Sequence, residues 1–243
     1  MPLPKIATPT YELILPSNKK TIKYRPFLVK EEKILILAME SGNSDEITTA
    51  IKTTLKDCIL TRGIKIDTLP SFDIEYLFLN IRAKSVGESV ELTITCPDDG
   101  QTQVDAKVNI DEITVVIPDG HTSEIDVDGN IVIKMKYPSL QEFIANNFDF
   151  GTQNTSKEVI DKSFEVVASC IDMVYTKDES WTSGDLSKKE IVEWLETMDS
   201  NQFKGIEEFF DTMPKLSHTM MIKNPKTGVE NEIVLEGLSS FFG

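Results

Sequence analysis

The residues best placed to do chemistry lie in the stretch LTITCPDDGQTQVDAKVNI at 92–110. An alternating strand runs into Cys96-Pro97, turns at Asp98-Asp99-Gly100 and returns as a second alternating strand. That outline is a zinc knuckle, in which C-P-x-C-G sets two thiolates at one tight turn. Here Asp99 stands in the position of the second thiolate. Near the other end, NPKTG at 224–228 lines up with CPDDG at 96–100, so that Asn224 and Thr227 occupy its two ligand positions. Structural zinc needs about four nitrogen or sulfur ligands. Two knuckle-shaped hairpins keeping one cysteine between them do not supply these. The expectation is a pair of turns kept for shape, since proline and glycine still provide the backbone geometry, with no metal ligand.

Other chemistry is as poorly supplied. Asp126-Val127-Asp128-Gly129-Asn130 has calcium-binding residue types. An EF-hand loop, however, places its glycine at position 6 and a glutamate at position 12. Counted from Asp126, the glycine falls at position 4 and position 12 is Tyr137, so a hairpin turn is expected. The two histidines, His121 and His218, sit beside loop or turn residues and far in sequence from any cysteine. Cys58 and Cys170 fall on apolar helical faces, where a buried inert thiol is the usual outcome. No G-x-S-x-G elbow, phosphate-binding G-x-x-x-x-G-K or G-x-G-x-x-G turn occurs. No catalytic residue and no cofactor site is expected, and the chain is expected not to be an enzyme.

The elements that carry these turns can be read from periodicity. Residues 11–25 form a hairpin, with Tyr11, Leu13 and Leu15 alternating, Pro16-Ser17-Asn18 turning, and Ile22 and Tyr24 alternating on the return. Helical spacing follows in Ile34, Leu37, Ala38 and Ser41, stopped by Gly42. Ser44 is placed to cap a second helix with the face Ile47, Ile51, Leu55, Cys58 and Ile59. A third helix after Pro70 is apolar nearly all round (Ile74, Tyr76, Leu77, Phe78, Leu79, Ile81) and should be central. Strands follow at 113–117, 124–127 and 131–135, the last two joined by Asp128-Gly129.

From 138 the pattern turns helical. Ser139/Glu142, Thr155/Glu158 and Ser187/Glu190 each carry the capping-box spacing. The middle helix should bury Ile160, Phe164, Val167, Cys170, Ile171 and Val174, and the third Ile191, Trp194, Leu195 and Met198. A further helix carries Phe203, Ile206, Phe209 and Phe210 before Pro214. The fold class is therefore α+β: an N-terminal β-hairpin and helices with antiparallel knuckle-like hairpins, then a mainly helical C-terminal part closed by a β-hairpin. The expected domains are 1–137, holding the degenerate zinc-knuckle hairpin, and 138–243.

The totals bound what such a molecule can touch. The chain has 243 residues, 40 acidic against 25 basic, for a net charge of −15. That surface disfavours nucleic acid and anionic lipid as partners and suits basic or neutral ones. No apolar run approaches the roughly 20 residues of a membrane span, and the N-terminus lacks the form of a signal peptide. Three widely spaced cysteines fit a reducing compartment.

Several stretches together resemble a known family. YELILPSNKKTIKYRPFLVKEEKILILAMES at 11–41 contains a strand, a turn with Pro16-Ser17 and Lys19-Lys20, a second strand ending Arg25-Pro26-Phe27, and a helix opening Lys30-Glu31-Glu32-Lys33. It resembles the start of the T4-type bacteriophage baseplate proteins, the hub subunits and hub-assembly proteins of contractile tails. The likeness continues through FDIEYLFLNIRAKSVGE at 72–88, the knuckle-like hairpin, FFDTMPKLSHTM at 209–220 and the closing GLSSFF. Related tail proteins often carry C-x-x-C at such knuckles, and this chain departs from that.

The resemblance implies a non-enzymatic virion protein of the tail baseplate, assembled in the host cytoplasm. Its partners would be other hub and tail proteins, with several copies around the tail axis as a further option. An alternative is an assembly chaperone absent from the finished particle, and a remote one is a metal- or thiol-dependent enzyme using Cys96. Candidate partner contacts are Arg25 and Phe27 of the R-P-F string, Trp181 in the expected polar loop TKDESWTSGDLS, and the terminal Phe241 and Phe242. Trp181 either tucks onto its own domain or anchors an interface.

Overall fold

The computed structural model describes residues 6–142, 156–237 and 240. The architecture is mixed α+β, built from small antiparallel sheets and helices. The hairpin of β1 (Tyr11–Ile14) and β2 (Thr21–Tyr24) opens the chain, with Tyr11 opposite Tyr24 and Leu13 opposite Ile22. Its turn is pinned to the start of α3 (Ser71–Val86): the Ser17 N–H donates to Asp73 Oδ1 at 3.1 Å, and the Ser17 hydroxyl donates to the other carboxylate oxygen.

Helices α1 (Val29–Ser41) and α2 (Ser44–Cys58) lie between hairpin and α3 in sequence. Gly42 ends α1 in the left-handed region at φ 62°, as a C-cap glycine does. The cap of α2 is Asn43, not Ser44. The Asn43 side chain accepts from the N–H groups of Asp45 and Glu46, and Ser44 is the first helical residue. As its composition requires, α3 is surrounded. Leu77, Leu79 and Ile81 are fully enclosed, each side chain contributing about 1.5–3 kcal/mol by leaving water.

A second hairpin follows in β3 (Ser89–Thr95) and β4 (Gln103–Asn109), with Val90 opposite Val108 and Ile94 opposite Val104. Then come β5 (Thr114–Val116), β6 (Glu124–Asp126) and β7 (Val132–Met135). The later elements are α4 (Ser156–Cys170), β8 (Ile171–Tyr175), β9 (Ser180–Thr182), α5 (Lys188–Leu195), α6 (Ser200–Asp211), β10 (Lys215–Lys223) and β11 (Glu230–Glu236).

Two of these depart from expectation. Ile171 and Val174 continue the helical spacing of α4, yet the helix stops at Cys170 and both residues belong to β8. The physical reason is that β8 finds a partner on each side, β7 and β9, in the sheet ordered β6-β7-β8-β9. Pairing on two edges outweighs local helical preference. Ile160, expected to be buried, is exposed.

The capping boxes form at Ser187/Glu190 and Ser139/Glu142: the Ser187 N–H donates to Glu190 Oε2 at 2.8 Å, and the Ser139 N–H to Glu142 Oε2 at 2.8 Å. Thr155 lies outside the described residues. A further box at Asp199/Gln202 starts α6.

Two hydrophobic cores result. One gathers residues from Leu15 to Ile113 together with Leu140 and Leu216. The other gathers Ile125, Ile133 and Met135 with residues from Ala168 to Phe209. The expected boundary at 137/138 does not separate them. Strand β7 before it pairs with β8 after it, and β10 returns to pair with β5. Hydrophobic periodicity is local and carries no record of which distant strand completes a sheet, so the change of pattern at 138 gives no sign of these pairings. The second core is closed by tight approach of α6 to β6: a Cβ on Gly205 would fall 2.5 Å from Ile125 Cγ2.

The two cores meet through rings. Phe72 on α3 stands edge-on to Tyr137 at 5.0 Å. Tyr137 also stacks with His121 and Phe209. His121 Nδ1 lies 3.0 Å from Thr212 Oγ1, and Nε2 lies 3.0 Å from Tyr137 Oη. The Thr212 hydroxyl donates to the Glu208 carbonyl at 2.6 Å, so it must accept from the ring. The tautomer is therefore Nδ1–H, with the Tyr137 hydroxyl donating to Nε2.

Candidate functional site

The two knuckle-shaped turns, more than a hundred residues apart in sequence, face each other. Their backbones are built alike. Gly100 N–H donates to the Cys96 carbonyl at 2.9 Å, and Gly228 N–H donates to the Asn224 carbonyl at 2.9 Å. Both glycines lie at positive φ, 63° and 78°, where a side chain would be strained.

A carboxylate joins the two turns. The Asn224 amide nitrogen donates to both oxygens of Asp98, at 3.0 and 3.2 Å. The Thr227 hydroxyl donates to Asp98 Oδ2 at 2.5 Å, and the Asn231 amide donates to Oδ1 at 3.0 Å. Asn224 Oδ1 in turn accepts the N–H of Lys226 at 2.8 Å. The bonds from Asn224 and Thr227 hold the Asp98 carboxyl below its ordinary range, against a smaller opposing effect of desolvation. Asp99, in the place of a second thiolate, turns inward on its own loop. It accepts from the Thr102 hydroxyl at 2.6 Å and from the N–H groups of Thr102 and Gln101. Those bonds put its carboxyl well below the usual range.

Asp98 is the residue that sequence reasoning treated as a mere turn position. The signal was the alignment of CPDDG with NPKTG. What it lacked was the knowledge that the two turns touch. Cys96 is buried beside this network, its thiol pushed up by desolvation and then by the nearby Asp98 and Asp99 charges. Among the described residues, no group of three or more His, Cys, Asp or Glu side chains is arranged to hold a metal ion.

The remaining chemical candidates are also engaged in structure. Asp126 Oδ1 accepts the Gly129 N–H at 2.6 Å, and Asp128 Oδ1 accepts those of Asn130 and Ile131, which makes the DVDGN stretch a self-bonded hairpin turn. Cys58 and Cys170 are enclosed, and burial pushes their thiols up to about 11 and about 12. His121 is fixed between Tyr137 and Thr212, and burial lowers its pKa. His218 sits on β10 with Nδ1 3.4 Å from the Glu112 carbonyl.

The candidate contact residues separate. Arg25 works inward: its guanidinium pairs with Glu31 at 2.8 Å and donates to the Pro26 carbonyl at 2.8 Å. Burial alone would raise the Glu31 carboxyl, but Arg25, the Leu28 N–H and Lys30 outweigh it and hold it at about 2. This pair fixes the start of α1. Phe27, whose N–H donates to Ser85 Oγ at 2.9 Å, lines a groove of about 490 Å³ between α1, α2 and α3.

Trp181 is not in a loop but on the edge strand β9. It is 37 % exposed and lines a separate depression with Trp194 and Leu186. Phe241 and Phe242 lie outside the described residues. What sequence reasoning missed is the state of α1. Its apolar residues Ile34, Ile36, Leu37 and Met39 are 40–55 % exposed, whereas the expected face included Ile34 and Leu37. The signal was there, because α1 carries apolar residues on more than one side.

The chain is thus mixed α+β, with the carboxylates of its two knuckle-shaped turns bonded within and between those turns and an apolar helix face exposed. The chain belongs to the T4 bacteriophage base plate protein family, whose sequence pattern matches residues 8–243. No curated protein and no solved structure matches it. It is a phage tail baseplate protein, and among the described residues no helix is long and apolar enough to cross a membrane.

Proposed function

We propose that this protein is a non-enzymatic structural component of the baseplate hub of a contractile phage tail, acting through contacts with other hub and tail proteins. The observation that carries this reading is the outward apolar surface of α1 on a baseplate-family chain. Monomers that work alone seldom expose so many large apolar side chains on one element. The residues that suggested chemistry each have a structural task, which supports contact as the means of action. The test is quantitative mass spectrometry of purified particles. The expected result is this chain in fixed ratio to other tail proteins, and its absence would refute the proposal.

A second reading, an assembly chaperone that leaves before the particle is complete, is favoured by the net charge of −15, which suits transient shielding of a basic partner. Tagged protein recovered from infected cells should then bring down a hub protein that mature particles contain without this chain.

A further inference from the structure

The groove between α1, α2 and α3 has a shape and a rim that specify its occupant. On α1 the lining positions are 32, 35, 36, 38, 39 and 40; on α2 they are 47, 50 and 51; on α3 they are 78, 82 and 86. Each set repeats at intervals of three or four residues, so each helix gives the groove one lengthwise stripe. From Glu32 to Glu40 the α1 stripe runs about 12 Å, a little over two turns. Apart from Phe27, just before α1, the walls are helical and offer no strand edge, so an extended segment would find no strand to pair with there. A helix, whose backbone bonds are internal, needs only side-chain packing. Three helical stripes around one groove are the setting in which a fourth helix packs.

The rim decides which helix. The floor is apolar, from Leu35, Ile36, Met39, Ile51 and Phe78, with Ile36 52 % exposed. Glu32 and Glu40 stand at the two ends of the α1 stripe, and Arg82 stands on the α3 wall. A second copy of this chain would bring the same two glutamates and another net −15 to the contact. Like charges set opposite each other at an interface disfavour that pairing.

Resting on the hub reading above, we propose that this groove receives one amphipathic helix of another baseplate protein, with an apolar stripe flanked by Lys or Arg that meet Glu32 and Glu40.

The experiment places a photo-crosslinking residue at position 36 of the full chain during phage assembly in infected cells, with a control at Val234 on β11. Adducts are mapped by mass spectrometry. The expected adduct at 36 is a segment of another tail protein with apolar residues at helical spacing and Lys or Arg flanking them, absent from the Val234 control. Adducts to a second copy, to another segment of the same chain or to a segment without that pattern overturn the proposal, as does no adduct at all.

Two companion variants guard the result. Ile36→Asp with Met39→Asp replaces exposed side chains, so the melting temperature should hold while the adduct from a crosslinker at Leu35 falls about tenfold or more. Glu32→Lys with Glu40→Lys should weaken it as well, and reversing the partner's flanking charges should restore it. Unchanged adducts in both variants would refute the assignment. Failure of the hub reading looks different: the adduct would still form in infected cells while mature particles lacked the chain.

Discussion

Asp98, in the turn between β3 and β4, holds Asn224, in the turn between β10 and β11, through two hydrogen bonds from one amide at 3.0 and 3.2 Å. The hairpins clasp through side-chain hydrogen bonds. Asn224 is fully buried, so Asn224→Ala removes the donors and leaves the Lys226 N–H without its acceptor. The expected loss is about 1–3 kcal/mol, the cost of unmade buried hydrogen bonds, read by urea unfolding. Asp98→Ala should lower the midpoint in the same direction. A variant as stable as the parent would mean that the turns hold together without the clasp.

Acid should open the start of α1. Glu31 has its carboxyl depressed from 4.5 to about 2. For a carboxyl whose folded pKa is depressed, the stabilisation is present above the unfolded value and lost as pH falls through the folded one. Glu31 therefore supplies about 3 kcal/mol at neutral pH, lost between about pH 4.5 and 2. The Glu31→Gln variant should be less stable at neutral pH and converge with the parent near pH 2. Parallel stability curves across that range would show that Glu31 contributes nothing specific.

Gly205 of α6 is held against Ile125 of β6. Alanine is the better helix former by about 1 kcal/mol, yet its Cβ would lie 2.5 Å from Ile125 Cγ2. Gly205→Ala should thus destabilise by about 1–3 kcal/mol, as overpacking does. Adding Ile125→Ala should recover part of the loss. Calorimetry on the four-member cycle decides it, and additive effects would show that the contact is not tight.

The parts of this fold that could be read from sequence are those whose cause is local. Pro16-Ser17-Asn18 between alternating strands is a local hairpin signal, and Ser187/Glu190 caps a helix from within four residues. The continuous apolar surround of α3 could mean only a central helix. Ile171 and Val174 misled because three more residues of helix and the start of a buried strand share the same apolar spacing. Only the presence of β7 and β9 on either side separates the two. The clasp at Asp98 was half legible. The likeness of the turns could be seen, but their contact depends on where β5 and β10 pair. For α1, spacing announced a helix correctly and said nothing of whether the chain itself covers it.

All three thiols should be silent in the native protein. Cys58, Cys96 and Cys170 are buried, and desolvation raises each pKa, to about 11 and about 12 at Cys58 and Cys170. Since the thiolate is the nucleophile, a disulfide reagent at pH 8 should titrate no thiol until denaturant is added, and three afterwards. Fast reaction of one native thiol, lost in Cys96→Ser, would reopen the case for chemistry at the first knuckle.

The contact between the two cores should weaken on mild acidification. His121 accepts from the Tyr137 hydroxyl at Nε2 and donates from Nδ1 to Thr212 Oγ1. Burial lowers its pKa from 6.5. With the folded value depressed, the stabilisation is complete above pH 6.5 and is lost as pH falls through the lower folded value. A protonated ring has no acceptor left for Tyr137, so the hydrogen bond must break or turn. Tyr137→Phe removes that bond in advance while keeping the ring between Phe72 and Phe209. It should cost about 1–2 kcal/mol at pH 7.5 and raise the His121 pKa, because the neutral ring loses its donor. Histidine ring resonances followed by NMR across pH 4–8 report this directly. An unchanged His121 titration in Tyr137→Phe would mean that the hydroxyl does not donate to Nε2 and that the tautomer assigned from Thr212 is wrong.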